Sequence, residues 1–321
     1  MINRGVSAYF LITLLFLASA CGVVAHANVS PLMDNVTVVN IPYMDRPAAH
    51  RRYTDDLLTL ALQLSTEKYG PFKIIRQRFE TVVGRQLLQL EKGDWLSVAT
   101  SMPLPSWLEK ADVVHFPIMK GLASYRMFFT DQAHVSALAE IESLDVLKKQ
   151  MIGQGRGWST AKILEDNGFR VMYGPTYETL FPMLEANRFS LLMRGIYEIE
   201  AELPLYQKNM PSLRIADNFA VYTYLPMYFF VSKKQAKLSQ RLRYGLIQAA
   251  ESGQFDALFN RYFASTVLML QNNNRSVFYL NNTNVVGQDF RRDEPYLLDF
   301  IRQLERNKPA IQSDEIVLLG E

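Results

Sequence analysis

The sequence has a single cysteine, Cys21, and only four histidines in 321 residues. It also lacks an excess of charge: 34 Lys and Arg stand against 32 Asp and Glu, a formal net charge of +2. One cysteine excludes an intrachain disulfide, and its loss with a leader removes thiolate chemistry as well. Balanced charge, with Arg51–Arg52 and Arg291–Arg292 as isolated pairs, offers no basic stripe, so nucleic acid is excluded as a partner. After residue 27 no apolar run approaches the length of a membrane span, and the mature chain reads as soluble. A chain of about 300 residues buries enough apolar surface to fold without covalent staples.

Signatures of catalysis are missing too. There is no Gly-x-Ser-x-Gly elbow, no His-Glu-x-x-His and no metal-ligand spacing. His26 falls in the leader, and His50, His115 and His134 are scattered. Asp55–Asp56 and Asp293–Glu294 are adjacent in sequence, which turns them to differing faces instead of across a substrate. The expectation is a protein that is not an enzyme and uses no cofactor and no metal.

What is present begins with a leader. Arg4 supplies the positive end, Ala8–Ala18 is apolar apart from Thr13, and Ala25-His26-Ala27 is a small-x-small cleavage site. Residues 1–27 therefore read as a secretory signal peptide, with an apolar run too short for a span. Ala18-Ser19-Ala20-Cys21 resembles a bacterial lipobox with its Leu displaced by one position, so cleavage after Ala27 is favoured over lipidation at Cys21.

The mature chain alternates strands and helices. Asn35–Pro42 predicts a strand, Tyr53–Lys68 an amphipathic helix stopped at Gly70–Pro71, and Phe72–Arg76 a second strand. Val82–Glu91 predicts a helix, and Trp95–Ala99 a strand reaching Thr100–Ser101. Val113–Pro117 and Leu122–Thr130 are extended, Ile141–Lys149 is helical, and Leu213–Ala216 and Val221–Val231 read as strands. Leu238–Glu251, Phe255–Phe263 and Pro295–Arg306 read as helices. This spacing argues βαβ units and a largely parallel sheet.

Residues 151–199 organise the rest. Met151–Ile152 closes a strand, and a loop with Gly153, Gly155 and Gly157 leads to Ser159–Thr160 and a helix stopped at Asn167–Gly168. Glycines there allow close backbone approach, and Ser159 is expected to cap the helix beside an anion-attracting amide cluster. The loop matches neither a dinucleotide fingerprint nor a Walker loop. Phe169–Tyr173 is a further strand, Leu180–Ala186 a helix, and Phe189–Met193 a strand delivering Arg194–Gly195. In open α/β sheets, ligands bind at such strand ends.

Several segments together resemble the type II periplasmic solute-binding proteins, in particular the amino-acid-type solute-binding protein family 3. They are LLTLALQLSTEKYGPFKII, GRQLLQLEKGDWLSVATSM, VVHFPIMKGLASYRMFF, ESLDVLKKQMIGQGRGWSTAKILEDNG, LPMYFFVSKK and LRYGLIQAAESGQFDALFNRYF. The resemblance covers Asn35–Phe263 and implies an α/β fold of two lobes joined by a two-strand hinge. Lobe 1 would be residues 28–130 and 219–321, lobe 2 residues 131–218. It further implies a periplasmic monomer that closes on a small solute for delivery to an inner-membrane transporter permease. A sensor serving a membrane receptor or kinase, and a dehydratase-like enzyme, are the alternatives on this scaffold.

Departures from the family pattern shape the ligand expectation. Trp107 stands where those binders place a carboxylate-clamping arginine, and indole offers no bidentate fork. Arg194 stands where they place an aspartate for the ligand's ammonium; the reversed charge favours a polar or anionic solute. The ligand is expected at Tyr43, Tyr53, Ser101, Arg126, Arg156, Trp158, Ser159, Tyr177 and Arg194. For Arg194 the competing role is a salt bridge, for Tyr53 lobe packing, and for Ser159 a cap alone.

Overall fold

The computed structural model describes residues 36–43, 49–78, 83–272, 274–285 and 287–309. The leader, its cleavage site at Ala27 and Cys21 lie outside the described residues.

β1 (Thr37–Ile41) is rich in β-branched residues, and α1 (Ala49–Leu64) buries Tyr53, Leu57, Leu58, Ala61 and Leu62 along one stripe. α2 (Thr66–Tyr69) ends at Gly70, whose φ of 79° suits a residue without Cβ, before β2 (Phe72–Arg76). α3 (Val83–Lys92), β3 (Val98–Ser101), α4 (Pro105–Lys110) and β4 (Ala111–Val114) follow. β5 (Tyr125–Asp131), buried along its whole length, crosses to α5 (Val135–Ala139) and α6 (Leu144–Lys148). Next come β6 (Met151–Gly155), α7 (Ser159–Asp166), β7 (Arg170–Gly174) and α8 (Leu180–Glu185). β8 (Leu191–Gly195), α9 (Ile196–Tyr206) and β9 (Leu213–Ile215) complete that part. β10 (Phe219–Tyr222) returns to β11 (Tyr228–Ser232), α10 (Ala236–Glu251) and α11 (Gln254–Gln271). Last are β12 (Ser276–Tyr279), α12 (Gly287–Asp293) and α13 (Asp299–Arg306).

The strands form two systems. β11 lies between β3 and β4 in an antiparallel sheet, with Tyr228 opposite Ser101 and Phe229 opposite Val114. β1 pairs with β2 in parallel, and Ser97 N donates to Asn40 O at 2.8 Å, tying β1 to the approach of β3. The larger sheet runs β12-β10-β5-β8-β6-β7, with β9 beside β5. β6, β7 and β8 are parallel, so their carboxyl ends share one edge, as expected of βαβ units.

Several elements differ from expectation, among them α4, α5 and α12, helices where none was expected. Val221–Val231 is not one strand: Leu225–Pro226 interrupts it, and its halves serve different sheets as β10 and β11. Proline has no N–H for a ladder, which explains the break. Residues 196–206, left without an element above, form α9. Residues 276–279, also without an expected element, form β12, which pairs in parallel with β10 at the edge of the larger sheet.

The tail beyond α11 touches both strand systems. Asn167 and Asn281 exchange two hydrogen bonds, Nδ2 to Asn281 O at 2.7 Å and Asn281 N to Asn167 Oδ1 at 3.0 Å. The buried Asp293 carboxylate accepts from the hydroxyls of Tyr224 (2.6 Å), within the β10–β11 connection, and Tyr228, the first residue of β11. Tyr296 packs on Phe116, and Ile301 of α13 sits against Gly121.

Elsewhere, α1 and α10 cross at Gly245, where a Cβ would lie 1.9 Å from the Ala61 carbonyl oxygen. The nearby Arg241 is 1% exposed; it donates to Ser65 Oγ, Thr37 Oγ1 and the carbonyls of Leu62, Gly70 and Pro71. Leu62 O also accepts from Ser65 Oγ and Thr66 Oγ1, and Pro71 O from Thr37 N, so Arg241 adds the tie from α10 to the turn between α1 and β2.

Candidate functional site: paired arginines and glutamates at the strand ends

β8 delivers Arg194 at the edge where β6 and β7 also end, and α9 starts directly after it. α9 turns Glu198 and Glu202 back toward Arg194, because residues four apart share a helix face. Arg194 Nε lies 2.8 Å from Glu202 Oε2, and its Nη2 lies 2.5 Å from Glu202 Oε1 and 2.7 Å from Glu198 Oε1. The guanidinium carbon is 5.0 Å from the ring centres of both Trp158 and Tyr177. Arg126 on β5 adds a second cation, 3.6 Å from Glu198 Oε2, and Gly195 N donates to the same oxygen at 2.7 Å.

Glycine makes room for this packing. A Cβ on Gly155 would fall 2.4 Å from the Trp158 ring, and one on Gly195 would fall 2.5 Å from Tyr197 and 2.9 Å from Arg126 Nη1. The close approach expected of the glycine loop is therefore to the protein's own aromatic rings.

Electrostatics follow from burial and pairing. Burial opposes the charge on Arg194, but Glu198 and Glu202 overcome it and hold the group well above its ordinary value. Burial likewise pushes the Glu198 carboxyl up, and Arg194 and Arg126 outweigh it, leaving Glu198 below the usual carboxylate range. His50, at the start of α1 with its ring 5.4 Å from Tyr197, is lowered to about 4, chiefly by burial. Burial raises Tyr177 and Tyr197 above the ordinary phenol, assisted by Glu202 and Glu198 respectively. Both shifts favour the ionised forms of Arg194 and Glu198 at neutral pH.

The expected residues divide. Arg126, Trp158, Tyr177 and Arg194 come together in this cluster. Ser159 lies beside it as the first residue of α7, and its hydroxyl meets Met102 Sδ at 3.2 Å, so it is not the cap. Met102 follows Ser101, whose hydroxyl donates to the Met102 carbonyl at 3.0 Å; the Ser159–Met102 contact joins the rim after β3 to the rim after β6. Tyr53 is a core residue: its hydroxyl donates to Ile118 O at 2.6 Å, and its ring packs edge-on against Phe259, Tyr262 and Phe263. Arg156 is exposed and lies over Tyr173, 5.4 Å from the ring centre. Tyr43 is half-buried at the end of β1, beside residues outside the description. Trp107 is buried against Phe230 within the core of α3, α4 and β11.

Glu198, Glu202 and His50 are the residues that sequence reasoning missed. For the two glutamates the signal was legible: Arg194, Glu198 and Glu202 recur at intervals of four, the spacing of one helix face. Among the described residues no group of three or more His, Cys, Asp or Glu is arranged to hold a metal. Also among them, no helix is long and apolar enough to cross a membrane.

No family model matches the chain, and no curated protein sequence matches it. Solved structures do. An ancestral arginine-binding protein bound to arginine matches with a TM-score of 0.51 at 16% identity, over 71% of this chain and 99% of its own. A histidine kinase sensor domain with similarity to periplasmic binding proteins gives 0.52 at 14% identity, over 71% and 97%. The ancestral amino acid-binding protein AncCDT-1, a precursor of cyclohexadienyl dehydratase, gives 0.50 at 14% identity, over 73% and 97%. The chain therefore has the type II periplasmic-binding-protein fold, a mixed α/β architecture. At such identity the likeness defines the fold alone, and function has to be argued from the site.

Proposed function

We propose that the chain binds a small polar solute outside the cytoplasm, in the cleft between lobe 1 (28–130 and 219–321) and lobe 2 (131–218). Binding proceeds by hinge closure and without catalysis. The observation that supports this most directly is the meeting of Arg126, Arg194, Glu198 and Glu202 with Trp158 and Tyr177 at the carboxyl ends of β6 and β8. Open α/β sheets bind ligands at that edge. Paired charges of both signs beside aromatic faces suit a compact polar molecule. Because Glu198 and Glu202 already neutralise Arg194, this arginine by itself supplies no preference for an anion.

Delivery to an inner-membrane transporter is the proposed outcome of binding. A membrane sensor as the partner draws on the match to a histidine kinase sensor domain. A thermal-shift screen of residues 28–321 against amino acids, carboxylates, phosphorylated compounds and sugars tests the reading. A solute at a hundredfold its dissociation constant should add about 2.7 kcal/mol. The reading fails if none of these classes raises Tm, or if a stabilising solute binds equally well after Trp158→Ala and Tyr177→Ala.

A further inference from the structure

The contacts of the Arg194 guanidinium are those of a bound ligand. Glu202 engages it side-on through both carboxylate oxygens, and Glu198 takes a third contact at 2.7 Å. Two aromatic rings, Trp158 and Tyr177, flank it at 5.0 Å. In-plane carboxylates and adjacent π faces are what distinguishes a planar, delocalised cation from a compact ammonium. Both glutamates are largely buried, their side chains 11% and 13% exposed. Arg126 is 3.6 Å from Glu198, whereas Glu202 is paired with Arg194, so taking Arg194 away leaves a buried carboxylate in need of a cation.

We propose that Arg194 is a tethered occupant of this pocket, so that Trp158, Tyr177, Glu198 and Glu202 form a guanidinium-recognition site that the chain fills itself. The tether makes occupancy intramolecular, and any external cation binds with an affinity reduced by the fraction of time Arg194 vacates the pocket. Arg194 thereby sets both the specificity and the threshold of the cleft. This consequence for solute capture rests on the function proposed above; the pocket chemistry does not.

The test uses the full chain with Arg194→Ala, probed with methylguanidinium chloride in the millimolar range and with methylammonium chloride at equal ionic strength. Methylguanidinium should raise the Tm of the variant by about 2–4 °C and change its tryptophan fluorescence, while leaving the wild type unmoved. Adding Glu202→Gln to the variant should abolish the rise. Should Arg194→Ala not fold, Arg194→Met retains an apolar stem and is tested in the same way. If that also fails, recovery of folding by methylguanidinium supports the proposal and its absence overturns it. Equal effects of the two cations, equal effects on wild type and variant, or rescue that survives Glu202→Gln would likewise overturn it. Rescue of the variant together with a solute screen that finds nothing would sustain the tethered occupant and remove the solute-binding reading.

Discussion

Arg194 and Glu202 form a side-on pair, with Nε 2.8 Å from Oε2 and Nη2 2.5 Å from Oε1, linking the end of β8 to the second turn of α9. Such a pair fixes two planes against each other, which a single contact does not. Breaking a buried pair costs about 3–5 kcal/mol, mostly because one charge is left without a partner. Arg194→Ala should cost more than Glu202→Gln, since removing the arginine leaves the buried Glu202 without its cation, whereas neutralising Glu202 leaves Arg194 paired with Glu198. Urea melts of both single variants and of the double variant measure this. A coupling energy near zero would show that the pair is not a unit.

Acid should weaken the protein ahead of ordinary carboxylate titration. His50 and His115 are both lowered from 6.5 to about 4, in each case mainly by burial. Between those values the unfolded chain binds more protons than the folded one, so stability rises with pH through that window. It is fully present above 6.5 and is lost as pH falls toward 4. Each histidine contributes a slope of at most about 1.4 kcal/mol per pH unit. Melting curves from pH 7 downward should show the decline, and His50→Gln should flatten it.

The crossing of α1 and α10 tolerates no side chain at Gly245, where a Cβ would meet the Ala61 carbonyl at 1.9 Å. Gly245→Ala raises helix propensity yet should destabilise the protein by about 1–3 kcal/mol or more, because the helices must separate. The neighbouring Arg241 donates to carbonyls of Leu62, Gly70 and Pro71, and Arg241→Met should cost about 1–3 kcal/mol for the buried hydrogen bonds it removes. Denaturant midpoints of the two variants check these values.

The tail is fastened at Asp293, which accepts from Tyr224 and Tyr228. Asp293→Ala removes the acceptor of two buried hydroxyls and should cost about 1–3 kcal/mol. Hydrogen exchange gives the sharper reading. Amides of β12, paired with β10, should lose protection in the variant while those of α1 and α10 keep theirs. Uniform loss over the chain would show that the tail unfolds only with the whole.

The sequence by itself determined the alternation of strands and helices, because hydrophobic period, proline and glycine act over a few residues. It determined the fold class through the order of those elements, and it placed Arg194 at the end of a strand, with Trp158 and Tyr177 on neighbouring loops. Short-range sterics also required glycine at 155 and 195, although the rings that fill the space belong to Trp158 and Tyr197. Only the tertiary structure decided what these groups meet. For Arg194 a ligand and a salt bridge stayed open as alternatives because Glu198 and Glu202 sit on a helix with no expected element, and pairing depends on how that helix packs. Tyr53 and Trp107 carried the same ambiguity: a large aromatic ring fits a core or a cleft equally well. Their place was settled by the neighbours brought to them, Phe259 and Phe263 for one and Phe230 for the other. Those neighbours are distant in sequence, and no local pattern encodes them.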